Sequence, residues 1–226
     1  MPSSLRVVVF DVNETLSDMS PLRLRFEEVG APSELMQTWF AGVLRDGFAL
    51  TAAGGFAAFP DIAKDGLRGL LEGLPGWSGG AEDAARYILA GFGTLDVHPE
   101  VPGCVRTLRA RGLRLITMTN GTTATTERLL ARAGLLDCFD ALLDVHGPGA
   151  WKPARSAYHY AVGRVGVAVT EALMVAVHPW DIDGARRAGL NAAWLRRGAG
   201  HYPATMTPPS LAADDLTALT TMLTEV

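Results

Sequence analysis

The chain has 226 residues, 48% of them hydrophobic and 19% charged, with a formal net charge of -4. That length suits one large α/β domain, or a core with a smaller inserted unit, and the apolar content is enough for a core without disulfide staples. The weakly acidic balance excludes a global pull toward nucleic acid or an anionic membrane surface.

The chain opens Met1-Pro2-Ser3-Ser4 and passes at once into a β-branched apolar run over Leu5–Phe10, broken only by Arg6. Such a run predicts a parallel strand buried on both faces. It ends in Asp11, so it is neither a secretory h-region nor a membrane span, and a cytoplasmic protein is expected. Residues 17 to about 96 then read as amphipathic helices, with breakers at Pro32, Gly54-Gly55, Pro60 and Pro75-Gly76 and no convincing strand. We read them as a helical cap inserted after the first strand, between core segments 1–16 and 97–226, where a lid would shield chemistry from water.

Further strands are predicted over Leu113–Met118, Ala141–Val145 and Leu173–Val177, with a weaker one over Ala192–Leu195. Helices are predicted over Val101–Arg111, Thr123–Ala133, Ala154–Val165 and Ile182–Ala188, and Gly112, Gly134 and Gly189 fall where helix C-caps are wanted. The arginines Arg106, Arg109, Arg111 and Arg114 suit a solvated helix face. Cys104 and Cys138 read as buried free thiols, and Tyr202–Pro209 as a surface loop before a last helix. Alternating strands and helices make the fold class α/β, a doubly wound, Rossmann-like parallel sheet with ligands at the carboxyl ends of its strands.

Those strand ends carry the chemistry. The first ends Phe10-Asp11-Val12-Asn13-Glu14-Thr15, the second Thr117-Met118-Thr119-Asn120-Gly121, and the fourth Val177-His178-Pro179-Trp180-Asp181. Trp151-Lys152-Pro153 stands ahead of the helix that follows the third. A carboxylate nucleophile needs a cation to keep it ionised and donors to aim it. Lys152 can supply the charge, and Thr15, Thr119 and Asn120 the hydrogen bonds. Asp181 can hold Lys152 or activate water. Trp180 is expected to pack under the strand end and position Asp181, Asp183 to open a helix, and Glu14 to face solvent or a turn.

In this order the motifs resemble the haloacid dehalogenase (HAD) superfamily along essentially the whole chain, and within it the 2-haloacid dehalogenase branch, which carries a helical cap at this place. The resemblance implies a hydrolase in which Asp11 displaces a leaving group from a small organic acid by SN2 attack. Water then cleaves the aspartyl ester, with no cofactor and no metal. Thr15, Thr119, Asn120, Lys152, Tyr158 and Asp181 fall on functional positions of the branch, and the resemblance alone suggests a homodimer. The superfamily's magnesium-dependent phosphatases are the alternative. They carry aspartates where this chain has Asn13, expected here to bind substrate, and Val177.

Besides Glu14, where the branch has glycine, three positions depart from the branch. Its cap arginine, which holds the substrate carboxylate and the leaving halide, aligns with Phe40 beside Trp39, and Arg45, Arg23 or Arg25 would have to substitute. Its serine and asparagine after the fourth strand are Ala176 and His178. The arginine loss leaves open a larger, less acidic or non-halogenated carboxylate. His178 is either a structural histidine or a partner in activating the hydrolytic water.

Overall fold

The structure is a computed structural model that describes residues 5–197 and 200–225, so the reading of Met1–Ser4 lies outside the described residues. The chain divides into two compact units, Met1–Ser17 with Asp96–Val226, and Asp18–Leu95.

Strand β1, Val7–Phe10, is wholly buried. Side chains alternate across a strand, so Val8 and Phe10 join one core layer while Val7 and Val9 face the other. With both faces covered, no polar residue is admitted, hence the unbroken apolar run.

The second unit follows as four helices: α1 (Leu22–Glu28), α2 (Leu35–Ala52), α3 (Phe59–Glu72) and α4 (Ala81–Ala90). The apolar faces of α1, α2 and α3 and the turn after α4 meet in an aromatic cluster of Phe26, Trp39, Phe40, Phe59 and Phe92 with ring centroids 5.5–6.4 Å apart. The indole of Trp39 donates to the Ala63 carbonyl at 2.9 Å, which satisfies the cluster's buried donor. Pro60 stands in the first turn of α3, where a missing N–H leaves no bond unmade.

The core resumes with α5 (Val101–Ala110), β2 (Arg114–Thr119), α6 (Thr123–Arg132), β3 (Ala141–Asp144), α7 (Arg155–Val165), β4 (Ala172–Ala176), α8 (Pro179–Arg187), β5 (Asn191–Leu195), β6 (Leu211–Ala213) and α9 (Leu216–Thr224). The strands form one sheet in the order β3-β2-β1-β4-β5-β6, and every pairing is parallel. Residues of α5, α6 and α9 cover the Val8–Phe10 face, whereas α7 and α8 pack on the other, which is the doubly wound α/β arrangement expected. Gly112, Gly134 and Gly189 follow α5, α6 and α8 with φ of 81°, 64° and 95°, the left-handed conformation that ends a helix.

Several expectations need correction. Strand β6 was not anticipated: three residues behind a proline-rich loop carry too little periodicity to register. Arg114 is not on a helix face but opens β2, where its guanidinium donates to the Val165 carbonyl at 2.6 Å. Cys104 is buried, but Cys138 is only half-buried. Asp183 does not open a helix. Helix α8 begins four residues earlier, at Pro179, so Asp183 lies within it, paired with Arg187 at 2.8 Å and accepting from the Thr207 amide at 2.7 Å.

Helix α8 comes close to α7 at Gly184, where an added Cβ would lie 2.5 Å from Pro153 Cβ and from the Tyr158 hydroxyl. Gly184→Ala is therefore expected to destabilise the protein by about 1–3 kcal/mol through overpacking. A thermal melt checks this, with Gly103→Ala as control, because an added Cβ at Gly103 meets nothing within 4 Å.

Candidate active site

Strand β1 lies between β2 and β4, the point where the chain reverses its direction of winding across the sheet. Loops leaving adjacent strand ends part there and open a crevice. Asp11 directly follows β1 at this point, with its amide held by the Val175 carbonyl of β4 at 3.0 Å. The loop beyond it closes on itself, since the Val12 carbonyl accepts from the amides of Leu16 and Ser17 at 2.9 and 3.0 Å. That turn brings Thr15 back over Asp11. The Thr15 hydroxyl donates to Asp11 Oδ2 at 2.7 Å and accepts from the Val177 amide at 3.1 Å.

Lys152 enters from the loop between β3 and α7 and is completely buried. Its backbone is set by Asn120, whose Oδ1 accepts from the Lys152 amide at 2.9 Å and whose Nδ2 donates to the Lys152 carbonyl at 3.2 Å. Asn120 therefore fixes the lysine's main chain. The Lys152 ammonium donates to Asp11 Oδ1 at 2.9 Å and to Asp181 Oδ2 at 2.6 Å. Asp181, in the first turn of α8, has its other oxygen bonded by the Tyr158 hydroxyl at 2.7 Å.

Burial would raise the pKa of the Asp11 carboxyl, but the Lys152 ammonium and the His178 ring outweigh it and hold Asp11 far below the usual carboxylate range. Asp181 shifts the other way, because burial and the neighbouring Asp11 charge prevail over its share of Lys152. Burial alone would lower the Lys152 pKa, yet the two carboxylates raise it. Tyr158, buried and facing Asp181, is pushed well above its ordinary value and stays a phenol. The Lys152 ammonium and the His178 ring together thus keep a nearly fully buried Asp11 ionised.

His178 reaches the same carboxylate from the end of β4. Its Nδ1 lies 3.4 Å from Asp11 Oδ2, and its Nε2 is 2.8 Å from Glu14 Oε2. Burial lowers the pKa of an imidazole, but hydrogen bonding and charge from Asp11 and Glu14 raise this one to about 9, so the ring is a cation at neutral pH. Trp180 stacks on the ring with centroids 5.1 Å apart and lies 5.8 Å from the Lys152 ammonium. Glu14 does occupy a turn, with φ of 62°, but its side chain is engaged with His178 and does not simply face solvent. Left-handed backbone disfavours any side chain, which fits the glycine of the resembled branch at this place. Glu14 and His178 both depart from the branch, and here they pair with each other.

The residues singled out in the sequence fall into three groups. Asp11, Thr15, Asn120, Lys152, Tyr158, His178, Trp180 and Asp181 form one connected cluster. Asn13 and Thr119 border it, for a side chain built at Gly121 would lie 3.6 Å from Asn13 Nδ2 and 3.2 Å from Thr119 Oγ1. Phe40 and Arg45 belong to the other unit. Phe40 packs on Trp39 and Phe59, and Arg45 pairs with the adjacent Asp46 at 2.7 Å with its side chain 75% exposed. Arg25 lies over the Tyr87 ring and donates to the Tyr87 carbonyl.

Sequence reasoning passed over three participants. Glu14 read as a plain turn residue, and the only sequence signal was its departure from the branch jointly with His178. His98 and Arg197 both donate to carbonyls of the Asp11 loop, at 3.1 Å to Glu14 and 3.0 Å to Thr15. Side-chain bonds to a distant backbone leave no local pattern by which to find them.

A family model described as haloacid dehalogenase-like hydrolase matches residues 5–189. The chain is 33% identical over 116 residues to haloacetate dehalogenase H-2 of Moraxella sp. (strain B), a stretch covering 51% of this chain and 52% of that protein. It is 28% identical over 198 residues to an (S)-2-haloacid dehalogenase of Pseudomonas sp. (strain YL), covering 85% of this chain and 83% of the relative. Among solved structures, an L-2-haloacid dehalogenase superposes with a TM-score of 0.90 at 27% identity, over 98% of this chain and 99% of the other. The family match takes in β1 through α8, and with them every element that contributes to the cluster around Asp11, so the chain belongs to the haloacid dehalogenase-like hydrolases.

Proposed function

We propose that the protein is a hydrolytic dehalogenase of a small 2-halocarboxylic acid, working through a covalent ester of Asp11. The observation that carries this reading is the buried Asp11–Lys152–Asp181 cluster at the sheet's switch point, in a chain whose relatives include several 2-haloacid dehalogenases alongside a phosphoserine phosphatase. One Asp11 oxygen attacks the carbon bearing the halogen, the C–O bond forms as the carbon–halogen bond breaks, and halide departs with the electron pair. Lys152 and Thr15 hold the carboxylate in line, and this fixed geometry replaces solvent reorganisation in the barrier.

Ester formation also changes the electrostatics of the second step. It removes the Asp11 charge, one of the main influences that raise the His178 pKa. Glu14 remains, but the ring then loses its proton more readily and becomes the base for the water that attacks the Asp11 carbonyl carbon. The water proton passes to His178 and on to the departing alkoxide of the hydroxy acid. The regenerated Asp11 acid gives its proton back to the ring, restoring the starting ion pair. One proton leaves to solvent per turnover, as halide hydrolysis requires.

The phosphatase alternative fits less well. Asn13 cannot act as acid and base for an alkoxide, and Val177 offers an amide to Thr15 where a carboxylate ligand would be needed. Asp11 and Asp181 share the Lys152 ammonium, and among the described residues no three His, Cys, Asp or Glu side chains group as metal ligands. We expect dehalogenation to persist with chelator present and magnesium to release no phosphate from phosphomonoesters. No helix of the described residues is long and apolar enough to cross a membrane. A cytoplasmic location fits the free thiols Cys104 and Cys138, and a homodimer, which the resemblance suggests, is tested by light scattering.

Single turnover of (S)-2-chloropropionate in ¹⁸O-labelled water is expected to place label in the Asp11 peptide. A labelled product with an unlabelled peptide would refute the ester. Lys152→Met should reduce ester formation by at least about a hundredfold, since it strands two buried carboxylates. His178→Gln should leave an ester that accumulates, seen as a mass increase on the Asp11 peptide, with its hydrolysis slowed about 10²–10⁴-fold.

The charged ring also makes stability depend on pH. Its folded pKa, about 9, is raised above the ordinary 6.5, so its contribution is complete below pH 6.5 and fades as pH climbs through 9. Denaturant melts should show the wild type losing up to about 3 kcal/mol relative to His178→Gln over that interval.

A further inference from the structure

Among the described residues, two non-glycine residues have positive φ, Glu14 at 62° and Arg197 at 40°. Such backbone carries about 1–3 kcal/mol of strain per residue and persists only where its surroundings hold it. The two sites are far apart in sequence, yet both bear on the short loop between Asp11 and Ser17. Arg197, just beyond β5, donates from Nη2 to the Thr15 carbonyl at 3.0 Å. Its Nη1 is 2.6 Å from Glu100 Oε1, its amide donates to the Asp214 carbonyl at 3.0 Å, and its side chain is only 16% exposed. His98 completes the set, with its ring Nε2 3.1 Å from the Glu14 carbonyl and its amide donating to the Leu16 carbonyl at 2.9 Å. A carbonyl can only accept, so Nε2 carries the proton. Three successive carbonyls, those of residues 14, 15 and 16, are therefore each held from outside the loop.

The Thr15 carbonyl is the informative one. The same residue's hydroxyl donates to Asp11 Oδ2, so the guanidinium on its backbone controls where that donor sits. Arg197 is anchored in turn by Glu100, at the N-cap of α5. A structural salt bridge would need neither a strained arginine nor a contact to the loop that carries the nucleophile.

We propose that Arg197, anchored by Glu100, is a positioning residue that acts through the Thr15 carbonyl to align the Asp11 carboxylate for attack. His98 holds the carbonyls of the two flanking residues, Glu14 and Leu16. This rests on the assignment of Asp11 as nucleophile. A displacement near 1 Å is enough to lower such a rate by orders of magnitude. Loss of Arg197 should therefore depress formation of the ester and spare its hydrolysis, which needs attack at the Asp11 carbonyl carbon and not alignment of its oxygen.

The test compares Arg197→Met and Glu100→Gln with Arg196→Met, which removes an equal charge from an exposed pair with Asp214. Quenched-flow with (S)-2-chloropropionate measures ester formation and ester hydrolysis separately. In parallel, the ¹³C resonance of the Asp11 carboxyl, assigned by its loss in Asp11→Asn, is followed without substrate. Arg197→Met and Glu100→Gln should slow ester formation at least about tenfold, leave hydrolysis within twofold, and shift the Asp11 resonance. Arg196→Met should do none of these, and guanidinium ion should restore part of the rate to Arg197→Ala. The proposal is overturned if folded Arg197→Met keeps both the wild-type resonance and the wild-type rate, or if Arg196→Met reproduces the loss. If wild type forms no ester, the dehalogenase reading fails while the resonance still decides positioning. If Arg197→Met does not fold, Glu100→Gln and Arg197→Lys carry the same comparison.

Discussion

One buried ammonium organises the catalytic end of the core. Lys152 has no exposure to solvent and lies 2.9 Å from Asp11 and 2.6 Å from Asp181. Two carboxylates in so dry a place would repel each other and take up protons without it, and the lysine without them would lose its own proton. The group works only as a whole, and the fold is arranged to keep it whole: Asn120 grips the lysine's main chain, Tyr158 satisfies the far oxygen of Asp181, and Thr15 satisfies Asp11. The sheet order makes this arrangement accessible, since β1 and β4 are neighbours and the loop after β1 and the helix after β4 carry the two carboxylates.

A second charge system, His178 with Glu14, is laid against the first. It shares Asp11 with Lys152, so the charge state of the nucleophile is felt by the ring. This coupling ties the protonation of the ring to the charge on Asp11, the dependence on which the proposed two-step reaction relies. The left-handed backbone at Glu14 is the structural expense of placing a carboxylate there. The carbonyl contacts from His98 and Arg197 hold the loop in that conformation.

Much of this was readable from residue order. Asp11 stood out because a continuous apolar strand stopped at a carboxylate, and the Thr-Asn-Gly, Lys-Pro and Asp motifs followed later strands in sequence. These signals are local: each residue belongs to the first turn or loop beyond its strand, where periodicity switches and is easy to see. Asp183 was misread because Pro179 starts α8 earlier than the apolar pattern does, and Arg114 because an arginine at a strand edge looks like one at a helix end. Strand β6 was missed because its three residues gain their pairing entirely from β5.

The sequence by itself determined the alternation of strands and helices, the catalytic-type residues at the strand ends, and the absence of aspartate at Asn13 and Val177. Those are properties of neighbouring residues and of the period of apolar positions, which a linear text preserves. Only the tertiary structure decided that Lys152 is shared between two carboxylates, that Glu14 and His178 form one pair, and that Arg197 holds a carbonyl of the Asp11 loop. Such contacts join segments as many as 182 residues apart, and the last of them ends on a backbone carbonyl, a group that every residue type possesses. Distance in space and charge in a dry environment are three-dimensional quantities, and they arise only when the sheet has placed β1 between β2 and β4.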